Sequence, residues 1–347
     1  MISFSEYVSL GHPDKVADYI SQYLLDRYIE HDPQTRYAVE VQIKDHAVTL
    51  GGEVSSRAFF TEGEIAKHVR DAVNEVGYNG VYASQWGHEN TICGDILKVT
   101  SLIGQQSADI AQGLSGWGDQ GIFFGMATPD ESMGNMPLDH TLAKRLCKAL
   151  YESGIGGLDI KTQIVTDDGF VVRVIVAIPL LDAHDTEAVR EVIETVIPHQ
   201  LGDYAVIING TGRYVKHSSI ADCGTTGRKL AVDFYGGNCR VGGGSPWTKD
   251  ASKADLTLNL VARHTAKAYA KKEGRTCYAS LACCIGRKEV DLLVQDDRGR
   301  VLAQGVRPLD PTEICKQYKL DTPLYASMCR WGLFGEYQTD KAWEIVL

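Results

Sequence analysis

No apolar run in this sequence approaches the roughly 20 residues that a membrane-spanning helix needs. The longest, Val174 to Leu181, is eight residues and contains Pro179. The first residues, Met1-Ile2-Ser3-Phe4-Ser5-Glu6, lack the basic region and apolar stretch of a secretion signal. Cys-x-x-Cys is missing too, and the nine cysteines, including adjacent Cys283 and Cys284, form no framework. A cytoplasmic protein with reduced thiols is therefore expected, without structural zinc. Nor is there an excess of basic charge. Lys and Arg number 35 against 45 Asp and Glu, a net charge of −10, which excludes a general nucleic-acid or anionic-membrane binder.

What is present is a chain of 347 residues, 44% hydrophobic and 23% charged, globular in composition and long enough for two or three domains. Glycine, 35 residues, exceeds the average usage of about 7%. Val16, Ile20, Leu24 and Tyr28 recur at helical spacing behind Pro13 and predict a helix over 13–30. Ile65, Val69, Val73 and Val76, closed by Gly77, predict a second, and Leu138, Leu142, Leu146 and Leu150, stopped by Gly154, a third over 138–153. Strands are expected at 36–44, 46–54, 160–166, 170–178, 204–209, 229–235, 276–286 and 288–295, with further helices at 185–197 and 253–272. Asp167-Asp168-Gly169 marks a hairpin. Strands arriving as hairpins between helices predict α+β architecture with antiparallel sheets. Two stretches, 104–121 and 210–249, have neither periodicity and are rich in Gly, Ser, Thr and Asp, a composition that often carries sites.

Gly116-Trp117-Gly118-Asp119-Gln120-Gly121 matches G-x-G-x-x-G, yet a polar loop precedes it and Ile122-Phe123-Phe124 reads as a strand, the reverse of a dinucleotide fingerprint. Gly224-Thr225-Thr226-Gly227-Arg228-Lys229 is similar to a phosphate loop, but its glycine spacing is too short and Leu230 stands where Ser or Thr is needed. Both nucleotide-loop readings are rejected. Arg213, Arg228, Lys229, Lys249 and Lys253 remain, gathered in glycine-rich sequence that includes Gly242-Gly243-Gly244. This is either a local anion site or a solvated basic surface. His12 lies just before the first helix and Asp14 in its first turn; they are either helix-start residues or a phosphate and magnesium site at the positive helix end. Asp255 follows Ser252 at capping-box spacing and carries the same two readings. Glu40 and Glu53 are strand acids, and Tyr214 is an aromatic suited either to the core or to stacking on a base.

Read together, the segments Ser5-Glu6-x-Val8-Ser9-x-Gly11-His12-Pro13-Asp14-Lys15, Gly51-Gly52-Glu53, Gly118-Asp119-Gln120-Gly121, Thr211-Gly212-Arg213, Asp222-Cys223-Gly224-x-Thr226-Gly227-Arg228-Lys229, Tyr235-Gly236-Gly237, Gly242-Gly243-Gly244, Lys249-Asp250 and Thr339-Asp340-Lys341 resemble the S-adenosylmethionine synthetase (methionine adenosyltransferase) family over essentially the whole chain. The resemblance implies an α+β fold of three similar α/β domains with mixed and antiparallel sheets, here divided at 1–109, 116–216 and 217–347. It implies that ATP, L-methionine and water give S-adenosylmethionine, phosphate and diphosphate, with two Mg2+ and one K+ per site. Active sites would lie between the subunits of a homodimer or homotetramer. Carried onto this sequence, His12, Lys161, Arg228, Lys229 and Lys249 are the catalytic candidates; with Asp159, Arg213, Tyr214, Asp222 and Ser245 they surround ATP. Glu53, Gln106, Asp222 and Lys253 would contact methionine, Asp14 and Asp255 would bind Mg2+, and Glu40 would bind K+.

Several positions depart from the family pattern: Leu10 replaces a usual Glu, Gly210 a usual Pro, Leu256 a common Arg, and His217-Ser218-Ser219 a more apolar stretch. These departures keep open an alternative, a non-catalytic regulatory paralogue that binds ATP. The segment between Gln106 and Gly118 is also short, which predicts a different closure over substrate and looser methionine selectivity.

Overall fold

The computed structural model of the chain describes residues 1–105, 116–182 and 185–346. Ile2–Val8 (β1) leads into Pro13–His31 (α1) and the hairpin Arg36–Lys44 (β2) and Ala47–Ser55 (β3). Glu62–Val76 (α2), Gly80–Trp86 (α3) and Lys98–Gln105 (β4) follow. Gly121–Ala127 (β5) and Leu138–Ser153 (α4) precede the hairpin Lys161–Asp167 (β6) and Phe170–Ala177 (β7), then Thr186–Val196 (α5) and Ala205–Ile208 (β8). The glycine-rich region holds only Ser218–Ala221 (α6), Gly224–Thr225 (β9) and Leu230–Asp233 (α7). Ala254–Glu273 (α8) then leads to Cys277–Cys283 (β10), Glu289–Asp296 (β11) and Val301–Pro308 (β12), and to Pro311–Gln317 (α9) and Tyr325–Cys329 (α10).

These elements form three four-stranded sheets, ordered β1-β6-β7-β8, β9-β2-β3-β4 and β5-β10-β11-β12. Pairing is antiparallel except for β3 with β4 and β7 with β8, so the architecture is α+β with mixed sheets. One unit recurs three times: a long helix (α1, α4 or α8) followed directly by a hairpin. The strand preceding each long helix leaves its own unit: β1 joins the α4 hairpin, β5 the α8 hairpin and β9 the α1 hairpin. The exchange closes a ring.

Each hairpin signal has a physical counterpart. Asp168 and Gly169 both take positive φ, 46° and 84°, as the twist of a tight hairpin demands. Thr61 and Glu64 form a reciprocal capping box on α2, and Gly77 ends it at φ 116°. The three long helices pack on the inner faces of the sheets, while the outer faces carry exposed apolar side chains, among them Phe4, Leu102, Ile122 and Val306. α1 is buried nearly all round, and its buried set includes Asp14, Lys15, Asp18 and Asp26. Such charges need partners.

Two expectations fail. The alternating residues at 229–235 form a short helix, not a strand, because Asp233 turns its carboxylate into the interior toward Lys15. Ser252 does not cap α8: the N-cap residue is Lys253, without a side-chain cap, and the Asp255 carboxylate is engaged by Lys249. All nine cysteines are unpaired.

Candidate functional site

α1 begins where Pro13 presets the backbone, and His12 caps it, its Nδ1 accepting the Asp14 N–H at 3.1 Å. One turn of helix separates Asp14 from Asp18, so both face the 224–229 turn. Asp14 accepts the Thr225 N–H at 2.9 Å and Asp18 the Gly227 N–H at 2.8 Å. Lys229 Nζ then reaches Asp14 at 2.6 Å, with an Arg228 guanidinium nitrogen 3.8 Å from the same carboxylate. A side chain at position 224 would collide with the Pro13 carbonyl, so only glycine admits this approach.

The cap bond defines the His12 tautomer. An Nδ1 that accepts leaves the proton on Nε2, turned away from the helix. Burial, and after it the charges of Lys229, Lys161, Lys15 and Arg228, holds the ring well below the ordinary histidine range. His12 is therefore a neutral donor ringed by cations. Lys161, exposed at the start of β6, is also among the charges acting on Asp159, whose carboxyl burial pushes up to about 6 against the Ser218 N–H bond. Tyr214 donates to the Asp159 carbonyl at 3.2 Å, and Asp222 adds its charge nearby. Ser245 lies against Gly227. Arg213 is exposed beyond the Gly212 turn.

A second group forms around α8. Lys249 bonds the Asp255 carboxylate, and Gly244 lies so close to that carboxylate that any side chain there would overlap it. Lys253 stands at the helix start. Among the described residues no hydrogen bond or ion pair joins Asp14, Lys161, Arg228 or Lys229 directly to Lys249, Lys253 or Asp255. Glu40 stands between them on β2, accepting from the Thr226 hydroxyl and, at 3.1 Å, from the Thr248 hydroxyl. Glu53 lies on the same outer sheet face, opposite Ala38. Gln106 and the short segment after it lie outside the described residues.

Sequence reasoning passes over Lys15, Asp18, Asp233 and Trp247, which lie beneath the first group. The spacing of Asp14 and Asp18, four residues apart on one helix face, is the available signal.

No three His, Cys, Asp or Glu side chains among the described residues are grouped to hold a metal. Mg2+ is commonly held by one or two carboxylates completed by phosphate oxygens and water. Asp14 beside Lys229, and Asp255 beside Lys249, fit that donor chemistry. Glu40 with two threonine hydroxyls offers an oxygen-only set suited to a hard monovalent cation.

Taken together, the ring of helix–hairpin units and the lysine- and arginine-lined helix end define an α+β protein with a cluster of cations gathered at the start of its first helix. The chain belongs to the S-adenosylmethionine synthetase family. The family's N-terminal domain matches residues 1–108 and its C-terminal domain residues 217–345. An S-adenosylmethionine synthase of Solidesulfovibrio magneticus is 36% identical over 376 aligned residues, covering 98% of this chain and 94% of the relative. One from Oleidesulfovibrio alaskensis is 34% identical over 377, with the same coverages. The solved structure described as an unusual S-adenosylmethionine synthetase from Campylobacter jejuni superposes with a TM-score of 0.86 at 30% identity, covering 99% of this chain and 96% of that one.

Proposed function

We infer that this chain is a methionine adenosyltransferase that joins L-methionine to the adenosyl group of ATP. Full-length similarity to synthases supports the reaction. The observation that carries the chemistry is His12, its Nδ1 committed to the Asp14 N–H, at the helix end where Lys229 and Arg228 converge on the Asp14 carboxylate. A sulfur lone pair attacks C5′, the S–C5′ bond forms, and the C5′–O bond breaks with its electron pair leaving on the triphosphate. The thioether has no proton to lose, so no general base is needed. His12 Nε2–H donates to the oxygen that gains charge, and the lysine and arginine cations stabilise the departing polyanion. Water then cleaves the triphosphate to phosphate and diphosphate. Mg2+ held by Asp14 and Asp255 would supply further charge neutralisation, and K+ at Glu40 would organise the hydroxyls of Thr226 and Thr248.

Methionine falls to Glu53, Gln106, Asp222 and Lys253 in this reading, and ATP to Asp159, Arg213, Tyr214 and Ser245 besides the cations. The active unit is a homodimer. Glu40, Glu53 and Lys161 lie on outer sheet faces whose apolar side chains need cover, and among the described residues no hydrogen bond or ion pair joins the Asp14 carboxylate and its cations to Lys249, Lys253 or Asp255. Two protomers apposed through these faces would bring one group of each together. Leu10 and Leu256, the departures that keep a non-catalytic paralogue open by sequence, are both buried core residues.

Mass spectrometry of purified chain with ATP, methionine, Mg2+ and K+ tests the reading. S-adenosylmethionine, phosphate and diphosphate are expected; a folded, ATP-binding protein that forms no S-adenosylmethionine would overturn it.

A further inference from the structure

Beneath the helix end lies a charged network that the reaction itself does not use. Lys15 Nζ lies 2.7 Å from Asp233 Oδ1 and 3.2 Å from Asp18 Oδ2, and 4.6 Å over the Trp247 ring. Asp233 Oδ2 accepts the Trp247 indole N–H at 2.7 Å. All four residues are shielded from solvent, none more than 2% exposed. Two carboxylates and one ammonium at this depth are no more stabilising than apolar side chains of the same volume, because the desolvation cost offsets their attraction. Their arrangement is better explained by position than by stability.

Each member adjoins a site residue. Lys15 follows Asp14. Asp18 holds the Gly227 N–H, immediately before Arg228 and Lys229. Asp233 ends α7, whose first turn hangs from the Lys229 carbonyl through the Asp233 N–H at 3.0 Å. The Trp247 backbone N–H donates to Ser245 Oγ at 3.1 Å, and Trp247 precedes Thr248, whose hydroxyl meets Glu40. We propose that Lys15, Asp18, Asp233 and Trp247 are positioning residues that hold the 225–229 and 245–248 turns in register against the start of α1, and so preset the cationic cradle for a polyphosphate. This rests on the reading above for the identity of that polyphosphate. Without the network, Arg228 and Lys229 would still be present, but each would have to be ordered when the anion arrives, at a cost in affinity.

Trp247→Phe separates position from packing, since the phenyl ring still faces Lys15 while the N–H to Asp233 is lost. Asp18→Asn is the second variant, keeping an acceptor for Gly227 N–H but removing the charge opposite Lys15. Melting temperature, kcat, KM for ATP, KM for methionine, and calorimetric binding of tripolyphosphate with Mg2+ are compared with wild type. Each variant is expected to raise KM for ATP and the tripolyphosphate Kd about tenfold, with KM for methionine changed less than twofold. Folded variants whose ATP and tripolyphosphate constants match wild type, whatever their melting temperature, overturn the proposal, as does an equal rise in the ATP and methionine constants. The two readings fail separately. Wild type that binds tripolyphosphate without making S-adenosylmethionine refutes the reaction alone; active wild type with unaltered variants refutes the positioning role alone.

Discussion

His12 Nδ1 accepts the backbone N–H of Asp14 at 3.1 Å, and this one bond both starts α1 and places a proton on Nε2. His12→Asn keeps a cap acceptor and removes that donor. Its melting temperature should stay near wild type, while kcat falls by about 10²–10³, the range for loss of one preorganised donor. His12→Ala should lose the same activity and, in addition, about 1 kcal/mol of stability. Thermal melts alongside steady-state rates check both.

Asp14 is the acceptor of Lys229 and the residue through which the helix end would hold Mg2+. Asp14→Asn should shift the Mg2+ concentration for half-maximal activity upward by at least about tenfold, given that a single carboxylate supplies the protein's share of the site. Chelation with EDTA should abolish product in wild type, and added Mg2+ should restore it. A Mg2+ titration of product formation reads both.

His217 donates from Nδ1 to the Val215 carbonyl at 2.7 Å, which leaves Nε2 to accept the Tyr82 hydroxyl at 2.7 Å. Burial lowers its pKa to about 4. The unfolded chain, with histidine near 6.5, takes up a proton first as the pH falls, so the stability this group contributes is fully present above 6.5 and is lost between there and about 4. Its maximum size is about 3 kcal/mol by that difference, with 1.36 kcal/mol per unit. His217→Gln should flatten the dependence of melting temperature on pH in that window relative to wild type.

Arg263 and Glu344 are both fully covered, with Arg263 Nε 2.9 Å from the carboxylate and Lys267 sharing it. This pair ties the C-terminal segment to α8. Glu344→Gln leaves a buried guanidinium without its counter-charge and should cost about 3–5 kcal/mol, measured by denaturant unfolding. Replacing both partners, as in Arg263→Met with Glu344→Leu, should cost less than the single change.

Periodic segments are legible in the amino-acid sequence alone. Leucines at every fourth position delimit α4, and Asp167-Asp168-Gly169 locates its hairpin. The edge strands are not, because β1 gains its identity from β6, far along the chain, and β12 is exposed along most of its length and presents no buried face. Leu230–Asp233 reads as a strand because its helix depends on Asp233 meeting Lys15, 218 residues away. In the site, His12, Asp14, Arg228 and Lys229 are named by their motifs, and the structure brings them together. The layer beneath them is only faintly marked, by the four-residue spacing of Asp14 and Asp18, since a buried Asp233 or Trp247 looks like any other in sequence. His217-Ser218-Ser219, legible only as a departure from the family pattern, is a buried cluster of hydrogen bonds to Tyr82, Ile92 and Asp45.

The ring of exchanged strands has a mechanical meaning. Every helix–hairpin unit borrows its edge from a neighbour, and the third returns the loan to the first, so any cut between the first strand and the last divides at least one sheet. Unfolding one unit strips a strand from the next, and the damage travels around the circle until it meets itself. Such a molecule should melt in a single step and resist being divided into fragments. The helix end carrying His12 and Asp14 lies just after one borrowed strand, and Lys229 just after another, so the cradle sits at the joints where the units are sewn together.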